Sequence, residues 1–158
     1  NTYNQMKPIL FITTILLFAT AAISQDMKAS HNTDDSKIAL QGYSPVSYLD
    51  LGIAQKGLKE HKATYDGLTY YFTDEGQKKA FVATPEKYLP AYGGYCAFGV
   101  SIGAKFRVDP NKFIVKAGKY YLFLYDLEVD AQQLWLQGDH QELVAKADGN
   151  WAKLKKGQ

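Results

Sequence analysis

Ala63-Thr64-Tyr65-Asp66-Gly67-Leu68-Thr69-Tyr70-Tyr71-Phe72 reads as a β-hairpin. Asp66-Gly67 tolerates the left-handed geometry of a tight turn, and its flanks are rich in β-branched and aromatic residues. Just downstream, Thr73 or Asp74 can cap a helix. Gln77 stands at capping-box spacing from Asp74, and Ala80 and Phe81 are expected to face the core. Thr84-Pro85-Glu86 opens a further helical turn, with Thr84 as cap and Pro85 at the first helical position. Upstream, Pro45 suits the first turn of a short helix over 46–50, which Gly52 stops, and the lysine-rich stretch 56–62 reads as a mobile loop. A second hairpin is predicted around Ala117-Gly118, from 113–115 to 119–125. Helical patterning follows over 129–136. Asp139 and Glu142 then match a capping box ahead of Leu143, Val144 and Ala147, Gly149 interrupts, and Trp151 turns inward in a last turn. The expected class is α+β: a small antiparallel or mixed sheet with short helices packed on it, the helices being too few and too short for a doubly wound sheet. No internal repeat and no low-complexity tract is evident.

Within the 158 residues, 1–24 have the layout of a secretory signal peptide. Lys7 precedes an uncharged apolar run over 9–23, and Ala22-Ile23-Ser24 offers a small-x-small cleavage site. The run is shorter than the roughly 20 residues a membrane-spanning helix needs. Residues 1–5 do not fit a leader. Residues 25–37 are polar and read as a flexible tether, and the folded domain is expected over 38–155. Lys7 is the only charged residue before the cleavage point, so the formal charge falls from +2 to +1 on processing. A chain so near neutral lacks the bulk charge of a general nucleic-acid binder. Export to the periplasm or medium is expected, with no stable membrane span after cleavage.

Three separated blocks resemble the YHS domain: Gly42-Tyr43-Ser44-Pro45-Val46-Ser47-Tyr48, the stretch from Tyr65 to Thr73, and Phe81-Val82-Ala83-Thr84-Pro85-Glu86-Lys87-Tyr88-Leu89. Tyr92-Gly93-Gly94-Tyr95-Cys96-Ala97 and Ala147-Asp148-Gly149-Asn150-Trp151 look like an exported bacterial subgroup of unknown function. The resemblance spans about 40–151. It implies a hairpin, a helix and a proline-started turn, in a family whose wider members are similar to metal-handling modules that bind through cysteines. At the three thiol positions of that family pattern this chain has Ser47, Thr73 and Gln77, so the resemblance does not carry thiolate metal binding onto them.

Site candidates come from the residues that remain. Cys96 is the only cysteine, so no internal disulfide forms. The thiol is either an inert core atom or reactive toward something outside the chain. A metal site would have to join Cys96 to a distant histidine, His61 or His140, because no two of these groups stand at motif spacing. His31 falls in the tether. Twelve tyrosines occur, and adjacent strand residues face opposite sides. One of Tyr70 and Tyr71, and one of Tyr120 and Tyr121, is therefore expected on an outer face or cleft. Tyr43, Tyr92, Tyr95 and Cys96 are the candidates for a ligand cleft. The leading expectation is an exported, non-catalytic module binding a small ligand or a metal, its cofactor unknown. An envelope-assembly accessory stands next, and a thiol-redox factor using Cys96 third. Its partners would be a small molecule, a metal ion or an envelope protein.

Overall fold

The structure, a computed structural model, describes residues 29–157. The expected leader and the start of the tether lie outside the described residues. Among those residues no helix is long and apolar enough to cross a membrane.

The α+β class holds, with the strands forming two separate antiparallel pairs. Strand β1 (Leu58–Tyr65) pairs with β2 (Leu68–Phe72), and β3 (Asp109–Lys116) with β4 (Lys119–Phe123). The hairpin turns are left-handed at both central residues, Asp66 and Gly67 in one and Ala117 and Gly118 in the other, as the type I′ turns favoured in hairpins require. The stretch 56–62, expected as a loop, is mostly β1. Its run of Lys59, Glu60, His61 and Lys62 is tolerated because β1 is an exposed edge, where charge discourages further strand pairing.

Helix α1 (Glu75–Ala83) starts where expected: the Gln77 amide donates to the Asp74 side chain at 2.8 Å. Helix α2 (Ala97–Ser101) begins at Cys96, and α3 (Ala131–Gln137) at Asp130. In α4 (His140–Leu154) the Glu142 amide donates to Asp139 at 2.9 Å. Gly149 does not interrupt α4. A mid-helix glycine costs about 1 kcal/mol, and the burial of Ala147 and Trp151 on either side of it outweighs that.

The chain does contain a repeat, at the level of backbone geometry. Ala39-Leu40-Gln41-Gly42-Tyr43 and Ala91-Tyr92-Gly93-Gly94-Tyr95 form the same left-handed turn, with positive φ at 40–42 and 92–94. Each turn closes alike, Tyr43 N–H to Leu40 O at 3.0 Å and Tyr95 N–H to Tyr92 O at 3.1 Å. The next residue's N–H reaches ahead in each half, Ser44 to Gln55 O and Cys96 to Phe106 O. Its side chain caps a helical turn, the Ser44 hydroxyl accepting from Ser47 N–H and the Cys96 sulfur from Gly99 N–H. A hairpin follows in both halves with the same register and the same bulge: Tyr65 faces Leu68 and Leu58 faces Phe72, as Lys116 faces Lys119 and Asp109 faces Phe123. Two helical segments complete each half. Few side chains are shared, so the sequence hides the repeat.

Each half anchors one core cluster. Tyr48, Phe72 and Phe81 centre the first, and Cys96, Val100, Phe123 and Trp135 the second. Tyr70 is buried and Tyr71 half-buried, as alternation predicts, whereas Tyr120 and Tyr121 are both buried. Strand β4 is the wall between the clusters. It sends Tyr120 and Leu122 into the first and Tyr121 and Phe123 into the second, so neither face is outer.

From Ala29 on, the polar segment read as a tether lies along the domain. Asn32 donates from its backbone to Gly93 O at 2.8 Å and from its side chain to Gly94 O at 3.0 Å. Tyr95 Oη donates to His31 O at 3.1 Å, and Lys105 Nζ to Ala29 O at 2.6 Å.

Candidate functional site

The groups proposed for a metal do not come together, and among the described residues no three His, Cys, Asp or Glu side chains form a group able to hold one. Cys96 has no solvent exposure, and burial pushes its thiol pKa up. A thiol kept protonated in this way is a poor ligand or nucleophile. His61, on β1, lies 3.5 Å from Glu75. His140, in the first turn of α4, accepts the Trp135 indole N–H on Nδ1 at 3.0 Å and stands edge-on to Tyr121. Burial, and then the nearby Lys116, lower the His140 pKa, which favours the neutral ring this acceptor role needs.

Ser47, Thr73 and Gln77 do converge, as a hydrogen-bonded polar cluster. The Gln77 carboxamide oxygen accepts from the Ser44 hydroxyl at 2.6 Å and from the Thr73 amide at 3.1 Å. Its nitrogen donates to Ser47 Oγ at 2.9 Å, and Ser47 donates on to Gln55 at 2.8 Å. Ser44 and Ser47 are fully buried, and the network supplies the partners that burial demands.

The four candidates for a ligand cleft are divided between the halves. Tyr43 packs on the first cluster, while Tyr92, Tyr95 and Cys96 belong to the second. Tyr43 and Tyr95 hold equivalent places in the repeat, which keeps them apart. Tyr95 is capped by the segment at Ala29 and His31.

Tyr92 borders open space. Its φ of 54° and ψ of 40° put a bulky residue in the left-handed region, at about 1–2 kcal/mol. Its hydroxyl donates to Asp148 Oδ1 at 3.0 Å, and its ring lies about 6 Å from those of Tyr121 and Trp151. Burial, and then the bond to Asp148, push the phenol pKa well up, so the hydroxyl stays protonated. These side chains wall a groove of about 450 Å³ with Pro90 and Lys119. A second groove of about 290 Å³ shares Pro90 and Trp151, with His31 and Asp66 beyond. Asp148 and Trp151 were not among the sequence candidates. The available signal was their spacing: three apart on one helix beside buried Ala147, they present a carboxylate and an indole on neighbouring turns.

No family model, no curated protein and no solved structure matches this chain.

Proposed function

We propose that the protein is an exported, non-catalytic, YHS-like module that binds a small organic ligand in the groove between Tyr92 and Trp151. The observation that carries this is the groove wall, where the Tyr92 hydroxyl is locked onto Asp148 beside the rings of Tyr121 and Trp151, a few fixed polar groups on an apolar surface. The groove volume falls in the range of small-molecule pockets. Trp151 offers a half-buried indole against which a flat or apolar body can stack. The convergence of Ser47, Thr73 and Gln77 supports the YHS-like reading, and export rests on the leader sequence. A metal-associated version draws less support, since Cys96 is buried and the two histidines are engaged by Glu75 and Trp135. The same burial argues against a thiol-redox role.

Native mass spectrometry of the protein purified from its own host tests the proposal. A non-covalent organic mass is expected, and Asp148→Ala or Trp151→Ala should lose it. A mass-free protein whose Trp151 indole resonance ignores a fragment library would reject the groove as a site.

One observation favours the accessory reading as a second function. In the second half a turn over 124–129 intervenes between β4 and α3, where the first half passes from Phe72 almost directly to the cap at Asp74. Asp126 accepts from the amides of Glu128 and Val129 and so presents Leu127 fully to solvent. If Leu127 docks a protein, Leu127→Lys removes the protein from its native-gel complex while leaving its melting temperature unchanged.

A further inference from the structure

We propose that a third groove, beside Tyr43, binds a small organic carboxylate. The molecule holds two tyrosine–lysine pairs, one engaged with carbonyl oxygens and one open; the tyrosines are equivalent in the repeat, the lysines are not. In the second half, Tyr95 and Lys105 hold backbone carbonyl oxygens. Tyr95 Oη donates to His31 O and Lys105 Nζ to Ala29 O, with the ammonium 5.2 Å from the Tyr95 ring centroid. In the first half, Tyr43 stands at the equivalent place after the same left-handed turn, and a lysine from a different register position, Lys56, places its Nζ 5.3 Å from the Tyr43 ring centroid. Among the described residues, no hydrogen bond or ion pair engages the Tyr43 hydroxyl, the Lys56 ammonium or the Lys59 ammonium.

Lys56 and Lys59 line a groove of about 520 Å³, walled by the half-buried ring of Tyr71. The acid in its lining, Asp34, is turned onto the amide and hydroxyl of Ser36, which hold its carboxyl below its ordinary range. Two uncommitted ammoniums against one committed carboxylate leave the groove electropositive. The occupant is therefore an anion presenting oxygen acceptors.

A polypeptide strand does not fit there as it does in the other half. The strap crosses Gly93, where an added Cβ would lie 2.0 Å from Ser30 O. The first half has Gln41 at that place, with its side chain tied to Val108 O at 3.1 Å. A backbone crossing residue 41 in the same way would collide with this Cβ. The space beyond it, between the lysines and Tyr71, suits a compact molecule: a carboxylate on the ammoniums and a flat or apolar body on the ring.

The test is a titration of the ¹⁵N-labelled protein with benzoate, its neutral isostere benzamide, and inorganic phosphate, read by amide shifts. Benzoate should give saturable shifts centred on Gly42, Lys56 and Tyr71, and benzamide should bind at least about tenfold more weakly, a loss of about 1.4 kcal/mol. The double variant Lys56→Gln/Lys59→Gln, altered only at exposed side chains, should weaken benzoate by about tenfold or more while keeping the native spectrum. Lys78→Gln, on α1, should leave the affinity unchanged. Absence of saturable shifts, shifts centred on Trp151, equal affinity for benzamide, or phosphate binding as tightly as benzoate would each overturn the proposal. This site stands or falls independently of the groove at Trp151.

Discussion

Replacing Gly93 by alanine separates the docking of the N-terminal strap from the backbone cost of the turn beneath it. Gly93 has a φ of +60°, and its new Cβ would meet Ser30 O at 2.0 Å and Trp151 at 3.2 Å. Gly67 is the matched control: its φ is +75°, and an added Cβ there meets nothing within 4 Å. A left-handed backbone costs an L-residue about 1–2 kcal/mol, so Gly67→Ala should lose about that much. Gly93→Ala adds the undocking of 29–32. That removes the two Asn32 bonds and the Tyr95 bond, each worth about 1 kcal/mol net, and the Lys105 bond to Ala29 O, worth about 1.5–3 kcal/mol because its donor is charged. The four released residues regain about 1 kcal/mol each of backbone freedom, which offsets most of the loss. The expected excess of Gly93→Ala over Gly67→Ala is therefore about 0.5–2 kcal/mol, capped because the strap can detach without global unfolding. Urea midpoints for the two variants, with hydrogen exchange at the Asn32 amide, measure both parts. Protection at Asn32 should collapse in Gly93→Ala while the β1–β2 ladder stays protected. Equal losses in the two variants with Asn32 still protected would refute the docking of the strap on Gly93.

Gln77→Ala leaves the buried Ser44 hydroxyl and the Thr73 amide without their acceptor, while Ser47 keeps Gln55, and should cost about 2–4 kcal/mol by urea denaturation; a loss below about 0.5 kcal/mol would contradict the network. For His140, the folded pKa lies below the ordinary 6.5, so between the two values the unfolded chain binds more protons. Stability from this group is full above pH 6.5 and is lost as the pH falls through 6.5 toward the folded value, where a protonated Nδ1 no longer accepts from Trp135. Melting temperatures across about pH 5 to 8 should show this slope, and His140→Gln should flatten it; an unchanged slope in the variant would assign it elsewhere. Labelling of Cys96 by a thiol reagent should follow global unfolding, with a rate that rises with urea; prompt labelling of the folded protein would place the sulfur at the surface, against its full burial.

Local signals read well wherever the physics is local. Asp66-Gly67 and Ala117-Gly118 are turns because their backbone demands are met within two residues. The caps at Asp74 and Asp139 form because a side chain need reach only three residues ahead. Misreadings occurred where partners are distant. The loop expected over 56–62 is a strand because Leu68–Phe72 pairs with it. Tyr121 does alternate with Tyr120, but it faces a second core and the groove beside Tyr92 instead of an outer face, because α3 and α4 cover the second face of β4. The tether lies on the domain because Gly93 leaves room for it.

The α+β class, the two hairpin turns and the capped helix starts at Asp74 and Asp139 were determined by short-range propensity, capping and composition. Tertiary structure decided which side chains meet. Asp148 reaches Tyr92 across more than fifty residues, Lys56 settles over Tyr43 while Lys105 settles over Tyr95, and two unlike sequences adopt one repeated backbone. Convergence of this kind depends on how separate halves pack against each other, and no local pattern along the chain encodes that packing.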